Sequence, residues 1–425
     1  QIKASKEAIP PLPFLALDDT PERHRLYSEH YARVTFPVHK VQPIPRPTQK
    51  PPRLRIGYFS ADLHNHATMY LINKVFEAHD RQRFSIYAYS YGPDKQDAMR
   101  HQCQQAVDVF HDVREYSDSA IVNLARQDKI DIAIDLKGYT TGHRGRLFAQ
   151  RLAPIQINYL GYPGTMGAAF MDYIIADPVV IPKDKRPCYS EHVIQLPHTY
   201  QPTDDSRVIA NTHTTRDDFN LPENGFVFCC FNNTYKLSPA EFDIWMRLLN
   251  QIDGSVLWLL KANPWAQDNL QQEAEKRGIH AARLIFADKL PQAEHLARLR
   301  HADLFLDTFN YNAHTTASDA LWAGLPVVTK LGNGFAARVA ASLLTAIGLP
   351  ELITTSAQDY EKRILELARD TKKLAAIKAK LATNRLHTPL FNTHLYTRHL
   401  EAGFIHAYEH YFAGKEPQDI SVSPL

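Results

Sequence analysis

The sequence predicts an α/β protein made of two Rossmann-like domains facing each other across a cleft, with a helical C-terminal tail. Three observations predict it. The chain has 425 residues, too many for one ordinary core, so two domains of similar size are the natural division. Short apolar runs alternate with helix-compatible segments, the pattern of a doubly wound parallel sheet. The runs fall into two series, separated near residue 202 by a polar, proline-containing stretch, PHTYQPTDDSRVIANTHTTRDDFNLPENG.

Residues 1–53 are rich in proline and end in KVQPIPRPTQKPPR. They read as an extended connector, interrupted by a helix around residues 20–32. The first domain, residues 54–202, opens with LRIGYFSADL, a short apolar run ending in small and polar residues. A buried parallel strand delivers a loop to the carboxyl edge of its sheet in this way. FSIYAYS, DIAIDLKGY, PIQINYLGYPG, DYIIADP and HVIQL follow, with a helix expected over residues 119–127. The second domain, residues 203–390, contains GFVFCCFNN, SVLWLLKA, RLIFADKL, DLFLDTF and PVVTK, with helices over residues 239–250 and 271–278. From about residue 356 the sequence is helical, and residues 391–425 form a tail whose 3.6-residue apolar spacing requires a surface to pack on.

Composition narrows the function. Hydrophobic residues make up 44% of the chain, enough for a real core. Lys plus Arg number 48 against 46 Asp plus Glu, a balance that leaves neither nucleic acid nor a membrane surface as the main partner. Cys103, Cys188, Cys229 and Cys230 include no CxxC pair, so they read as reduced, buried thiols of a cytoplasmic protein. The sequence has no span-length apolar stretch and no signal-peptide pattern. It opens on Gln1 and reads as a piece of a longer chain.

The strongest local signal is DTFNYNAHTTASDALWAGLPVVTK. A strand ends in a polar loop, and Thr315, Thr316 and Ser318 then open a helix that stops at Gly324 before Pro326. Free amides at a helix start, with hydroxyls beside them, suit a diphosphate, and Asp319 one step on suits ribose hydroxyls. Simple N-capping explains the same residues equally well. Lys236, in FNNTYK after a buried strand, is placed to neutralise charge on a leaving phosphate, or is a solvated surface lysine, the commoner fate of a single Lys. His295 begins a helix in LPQAEHLARLRHAD, where it either stacks on a base or caps the helix. In the first domain SADLHNHATMYL sets His64 and His66 on the loop after the first strand, for acid–base or substrate-orienting work. No carboxylate or Cys lies at ligand spacing, so no metal is expected. LKGYTTGHRGR and LGYPGTMGA add glycine-containing loops at strand ends, including Gly164 and Thr165.

Taken in order, RIGYFSADLHNHAT, DLKGYTTG, APIQINYLGYPGTMGAAFMDYIIAD, FNNTYK, PQAEHLARLRHADLFLDT, NAHTTASDALWAG, AARVAASLL and PLFNTHLYTRHLE resemble the catalytic region of the O-GlcNAc transferase and SPINDLY-like family. The likeness runs from about residue 53 to residue 415. It implies a GT-B fold, and an inverting, metal-independent transfer of a sugar from a nucleotide to protein side chains. No cofactor is implied beyond the UDP-sugar co-substrate. Tetratricopeptide repeats are expected ahead of the region in the full-length protein. By the family's motifs His66 is the active-site histidine and Lys236 the lysine that stabilises the departing diphosphate. His295 is the residue stacking on uracil, with Arg298 beside it. His314, Thr315 and Thr316 form the phosphate loop, and Asp319 is the ribose carboxylate. Asn233 stands where the best-known members have Gln. Tyr311 stands where some have a Cys near the sugar's N-acetyl group, and Gly164 and Thr165 complete that sugar pocket.

The expected reaction is direct displacement at the anomeric carbon by an acceptor hydroxyl. The proton goes either to His66 or to a donor phosphate oxygen. N-acetylglucosamine is the first expectation for the sugar, with glucose or another hexose open. Transfer to Asn and a GDP-sugar such as GDP-fucose are alternatives. Two other classes share such a fold: a nucleotide-sugar 2-epimerase and a non-catalytic nucleotide-sugar-binding module.

Overall fold

In the computed structural model, residues 7–37 and 43–425 are described. Part of the expected proline-rich connector, residues 1–6 and 38–42, lies outside the described residues. The chain divides into two compact units. Among the described residues, the first holds 7–15, 20–37, 43–205 and 392–425, and the second holds 16–19 and 206–391.

The strands, in chain order, are β1 (Leu54–Ser60), β2 (Phe84–Ser90), β3 (Val109–Asp112), β4 (Ile132–Asp135), β5 (Ile155–Asn158), β6 (Tyr173–Ala176), β7 (His192–Gln195), β8 (Val227–Cys230), β9 (Val256–Leu260), β10 (Leu284–Ala287), β11 (Leu304–Leu306), β12 (Val327–Lys330), β13 (Ile353–Thr354) and β14 (Ile420–Ser421). The first unit's sheet runs β14-β7-β6-β5-β4-β1-β2-β3, and the second unit's runs β10-β9-β8-β11-β12-β13. Their pairings are parallel. Helices cover both faces of such sheets, so the central strands are buried end to end, as in Ile132–Asp135 and Val227–Cys230. In each unit the chain reverses at a switch in strand order, which leaves loops gathered at the carboxyl edge.

The helices are α1 (Phe14–Leu17), α2 (Pro21–Thr35), α3 (Ala67–Ala78), α4 (Ala98–Ala106), α5 (Asp118–Gln127), α6 (Gly145–Ala149), α7 (Pro239–Gln251), α8 (Pro264–Lys276), α9 (Gln292–Arg298), α10 (Thr315–Trp322), α11 (Val339–Ala346), α12 (Ala357–Arg369), α13 (Thr371–His387) and α14 (Thr393–Phe412). Local chemistry sets many of their ends. Ser238 and Glu241 close a capping box on α7, satisfying amides that have no partner within the helix. Gly324 ends α10 with φ +86°, a left-handed conformation that costs glycine little.

Both terminal segments include packed helices. The described part of the N-terminal connector includes α2, which buries Pro21, His24, Ser28, His30, Tyr31 and Ala32. Its buried face is largely polar, which is why hydropathy marks it poorly. The tail helix α14 belongs to the first unit. Its Glu401 accepts from His79 Nδ1 at 2.9 Å and from the Asp80 amide at 2.8 Å. Its Tyr396 hydroxyl donates to the Tyr200 carbonyl at 2.5 Å. The four cysteines are buried and unbridged.

Candidate active site

In the second unit the segments after β8, β10 and β11 carry most of the expected site residues. Asp307, directly after β11, organises them. This fully buried carboxylate accepts the amides of Thr308 and Ala313 at 2.8 and 2.6 Å and the Thr329 hydroxyl at 2.7 Å. One side chain thus pins both ends of the loop 308–313. Burial pushes its pKa up to about 7, against these hydrogen bonds. Within the loop the Thr308 hydroxyl donates to the Tyr311 carbonyl at 2.6 Å and receives the Asn232 amide at 2.8 Å. Asn232 in turn accepts the Thr316 hydroxyl at 2.5 Å. The loop after β8 and the first turn of α10 are therefore tied to the same loop.

Lys236 sits on this structure. Its Nζ donates to the Asn312 carbonyl at 3.0 Å and lies 4.1 Å from the centroid of the Tyr311 ring. An ammonium has three donors, and the carbonyl takes one. Desolvation lowers the lysine's pKa to about 8, with Asp307 and Cys230 pulling the other way. Tyr311 is almost wholly buried and also meets Tyr235 and His314, so its ring is the platform under Lys236. His314 is the N-cap position of α10. Its Nε2 is 3.0 Å from the Ala336 carbonyl, and burial drives its pKa well down. Because that contact needs a donor, the neutral ring carries its proton on Nε2. Thr315 and Thr316 then begin the helix, where the first amides have no intrahelical acceptor. A cation, a helix N-terminus and the Thr315 hydroxyl form an anion-binding arrangement; the Thr316 hydroxyl is already spent on Asn232, so Thr316 offers its backbone amide.

His295 and Asp319 form a second cluster beside the first. The Arg298 guanidinium donates to His295 Nδ1 at 2.8 Å and to the Asp288 carbonyl at 2.5 Å, which leaves the imidazole proton on Nε2. Burial lowers the His295 pKa to about 4, so the ring is neutral near pH 7. Its centroid is 5.5 Å from that of Phe231. Arg298 itself is buried, packed on Phe231 and Trp258, and acts by orienting His295. Asp319 is bonded to Arg207 at 2.5 Å and to Gln292 at 3.2 Å, with His295 Nε2 at 4.0 Å. Asn233, one residue past Asn232, is exposed.

The first unit carries His66, Gly164 and Thr165. His66 is the N-cap of α3, and its Nδ1 accepts the Thr68 amide at 3.2 Å. Asp62 Oδ2 lies 3.5 Å from the same nitrogen, and buried Lys137 holds that oxygen at 2.7 Å. Desolvation lowers the His66 pKa, against the pull of Asp62. The neutral ring therefore carries its proton on Nε2. His64 is buried beside it, the two ring centroids 5.9 Å apart. Gly164 and Thr165 lie in the loop after β5, next to Tyr162. The Gly164 carbonyl accepts the Asn158 amide at 3.0 Å, and the Thr165 hydroxyl donates to buried Glu191 at 2.5 Å. Both are thus committed to holding their loop.

Sequence reading missed Asp62, Lys137, Arg207 and Asp307. Asp307 was visible as the first polar residue after an apolar run. The other three act through partners 75 or 112 residues away, which no local pattern records. Among the described residues no group of three or more His, Cys, Asp or Glu is placed to hold a metal, and no helix is long and apolar enough to cross a membrane.

Comparison with known proteins gives a consistent answer. The model of the family "Glycosyl transferase family 41" matches residues 37–213 and 206–400. The Arabidopsis thaliana protein SEC, described as a probable UDP-N-acetylglucosamine–peptide N-acetylglucosaminyltransferase, is 37% identical over 376 residues, covering 87% of this chain and 38% of its own length. A rice SPINDLY protein with the same description is 29% identical, covering 93% of this chain and 43% of its own length. The chain thus spans about two fifths of these curated relatives. Among solved structures, a mutant of the O-GlcNAc transferase of Thermobaculum terrenum superposes with a TM-score of 0.86 at 29% identity, over 93% of this chain and 75% of that one.

Proposed function

This chain belongs to glycosyl transferase family 41, and on that footing we propose that it transfers a sugar from UDP to serine and threonine hydroxyls of cytoplasmic proteins, with inversion and without a metal ion. N-acetylglucosamine is the sugar we assign first, since it is the one in the relatives' descriptions. The observation that carries the reading is Lys236, held by Asn312 and Tyr311 beside the first turn of α10.

In this reading the first amides of α10, those of Thr315 and Thr316 included, and the Thr315 hydroxyl grip the diphosphate, and Lys236 takes up charge on the β-phosphate as the anomeric bond breaks. His295 lies flat against uracil. Asp319, fixed by Arg207, receives a ribose hydroxyl. The acceptor hydroxyl attacks the anomeric carbon from the opposite face. His66 presents Nε2–H and so orients the acceptor or donor as a hydrogen-bond donor, which leaves a phosphate oxygen of the donor to receive the proton. Tetratricopeptide repeats in the full-length protein would present the acceptor chain. The test is transfer of labelled sugar from UDP-N-acetylglucosamine, UDP-glucose and GDP-fucose to peptides carrying Ser, Thr or Asn. Labelling of Ser or Thr from a UDP-sugar is expected; labelling only from GDP-fucose, only on Asn, or epimerised donor without transfer overturns the proposal.

Two further expectations follow from the site. The donor kcat/KM reports groups of the free enzyme, and Lys236 must be charged to bind diphosphate. With its pKa at about 8, donor kcat/KM should be level near neutrality and fall tenfold per pH unit above that value. A profile still level two units higher would contradict the assignment. His295→Ala removes the base-stacking ring, worth about 1–3 kcal/mol, so UDP should bind about tenfold or more weakly. An unchanged dissociation constant in calorimetry would rule the stacking role out.

A further inference from the structure

Residues 16–19 belong to the second unit, although the residues on both sides of them belong to the first. Hydrogen bonds from two loops hold them there. The Ala16 carbonyl accepts the Asn310 side-chain amide at 3.1 Å. The Asp19 carboxylate accepts the backbone amides of Asn333 and Gly334 at 2.8 and 2.7 Å, one on each oxygen. Successive amides converging on one anion form a small nest. The fit is tight: a Cβ on Gly332 would stand 2.6 Å from Asp19 Oδ2 and 2.5 Å from the Ala337 Cβ, so residue 332 must be glycine for the carboxylate to seat.

The two loops gripped in this way both connect to the seat of Lys236. Gly334 leads into the short turn Phe335–Ala337. The Ala336 carbonyl of that turn accepts the Asn312 amide at 2.9 Å and meets His314 Nε2 at 3.0 Å. The carbonyl of Asn312 is the one on which Lys236 rests. Asn310 is the neighbour of Tyr311, the ring beneath that lysine. A segment about 300 residues away in sequence therefore fixes the peptide units that position the lysine and the helix start.

We propose that Asp19 is a positioning residue for donor binding, which acts by clamping the loop 332–334 and, through Ala336, the seat of Lys236 and His314. The proposal rests on the reading of the second unit as the nucleotide-sugar side. Its weight falls on the donor and not on the acceptor, because every bond in the chain of contacts leads to the diphosphate-binding loop.

The experiment compares the unaltered protein with Asp19→Ala and Asp19→Asn. UDP affinity is measured by calorimetry, donor and acceptor KM and kcat by transfer assay, and Tm on the same samples. Asp19→Ala leaves two amides without their anion and should raise the UDP dissociation constant and the donor KM about tenfold, with the acceptor KM unchanged. Asp19→Asn keeps one acceptor oxygen and should show a smaller rise of the same kind; it decides the question should the alanine variant fail to fold. A lowered Tm with unchanged UDP affinity and donor KM would mean a merely structural role and would overturn the proposal, as would equal rises in both KM values. Binding of UDP by the unaltered protein separates the two levels: if it is absent, the donor-site reading itself fails, whereas if it is present and identical in the variants, only the clamp fails.

Discussion

Replacing Lys236 by alanine should lower kcat for sugar transfer by about a hundredfold or more, with the fold and melting temperature nearly unchanged. The size follows from what a preorganised donor contributes when charge builds on a leaving group, on the order of 3–4 kcal/mol. Lys236 meets the requirements. It is attached to a short turn directly after β8, held from below by the Asn312 carbonyl and the Tyr311 ring, so little reorganisation remains at the moment of transfer. Burial lowers its pKa to about 8, and the negative charge of a diphosphate beside it favours the ammonium form. Lys236→Arg keeps the charge but not the fit on that carbonyl and ring, and should recover only part of the rate. A Lys236→Ala enzyme within threefold of the unaltered rate would remove the lysine from the mechanism.

Asp307→Ala should be the most destabilising single change in the site. Three buried donors, from Thr308, Ala313 and Thr329, converge on this carboxylate. Truncation leaves all three unpaired, at about 1–3 kcal/mol each before relaxation, and opens a cavity behind them. Removing the carboxylate also relieves the cost of burying it, so a net loss of about 3–5 kcal/mol is expected, the range for breaking a buried polar network from one side. Asp307→Asn preserves the shape but presents one acceptor oxygen in place of two, and should lose less. Chemical denaturation reads both. A Asp307→Ala protein as stable as the original would mean that the loop 308–313 is held by other contacts.

The sequence was most informative where chemistry is local. The strands read as apolar runs, and the loops that matter follow directly from their ends: FNNTYK after β8, NAHTTASD after β11. The start of α10 was legible from its Thr and Ser residues and its end from Gly324, because capping is settled by neighbours. Three strands escaped notice. β3, VFHD, is half polar and partly exposed, and β13 and β14 are two residues each, too short to show a period. α8 was expected to begin near residue 271 but starts at Pro264, with Asn263 capping it; exposed Trp265 blurred the amphipathic pattern there. The site shows the same division. Lys236, His295 and Thr315 could be picked from their settings, whereas Arg207 on Asp319, Lys137 on Asp62 and Asp19 on the loop 332–334 are partnerships made by folding alone.

Calorimetric titration of the intact protein with UDP, repeated on Lys236→Ala, examines the diphosphate site itself. Saturable binding with one site per chain is expected, weakened at least tenfold in the variant, together with a rise in Tm that grows with UDP concentration as mass action requires. Heat and melting curves indifferent to UDP, or a variant that binds as tightly as the parent, would mean that the ammonium and the first turn of α10 serve some other purpose.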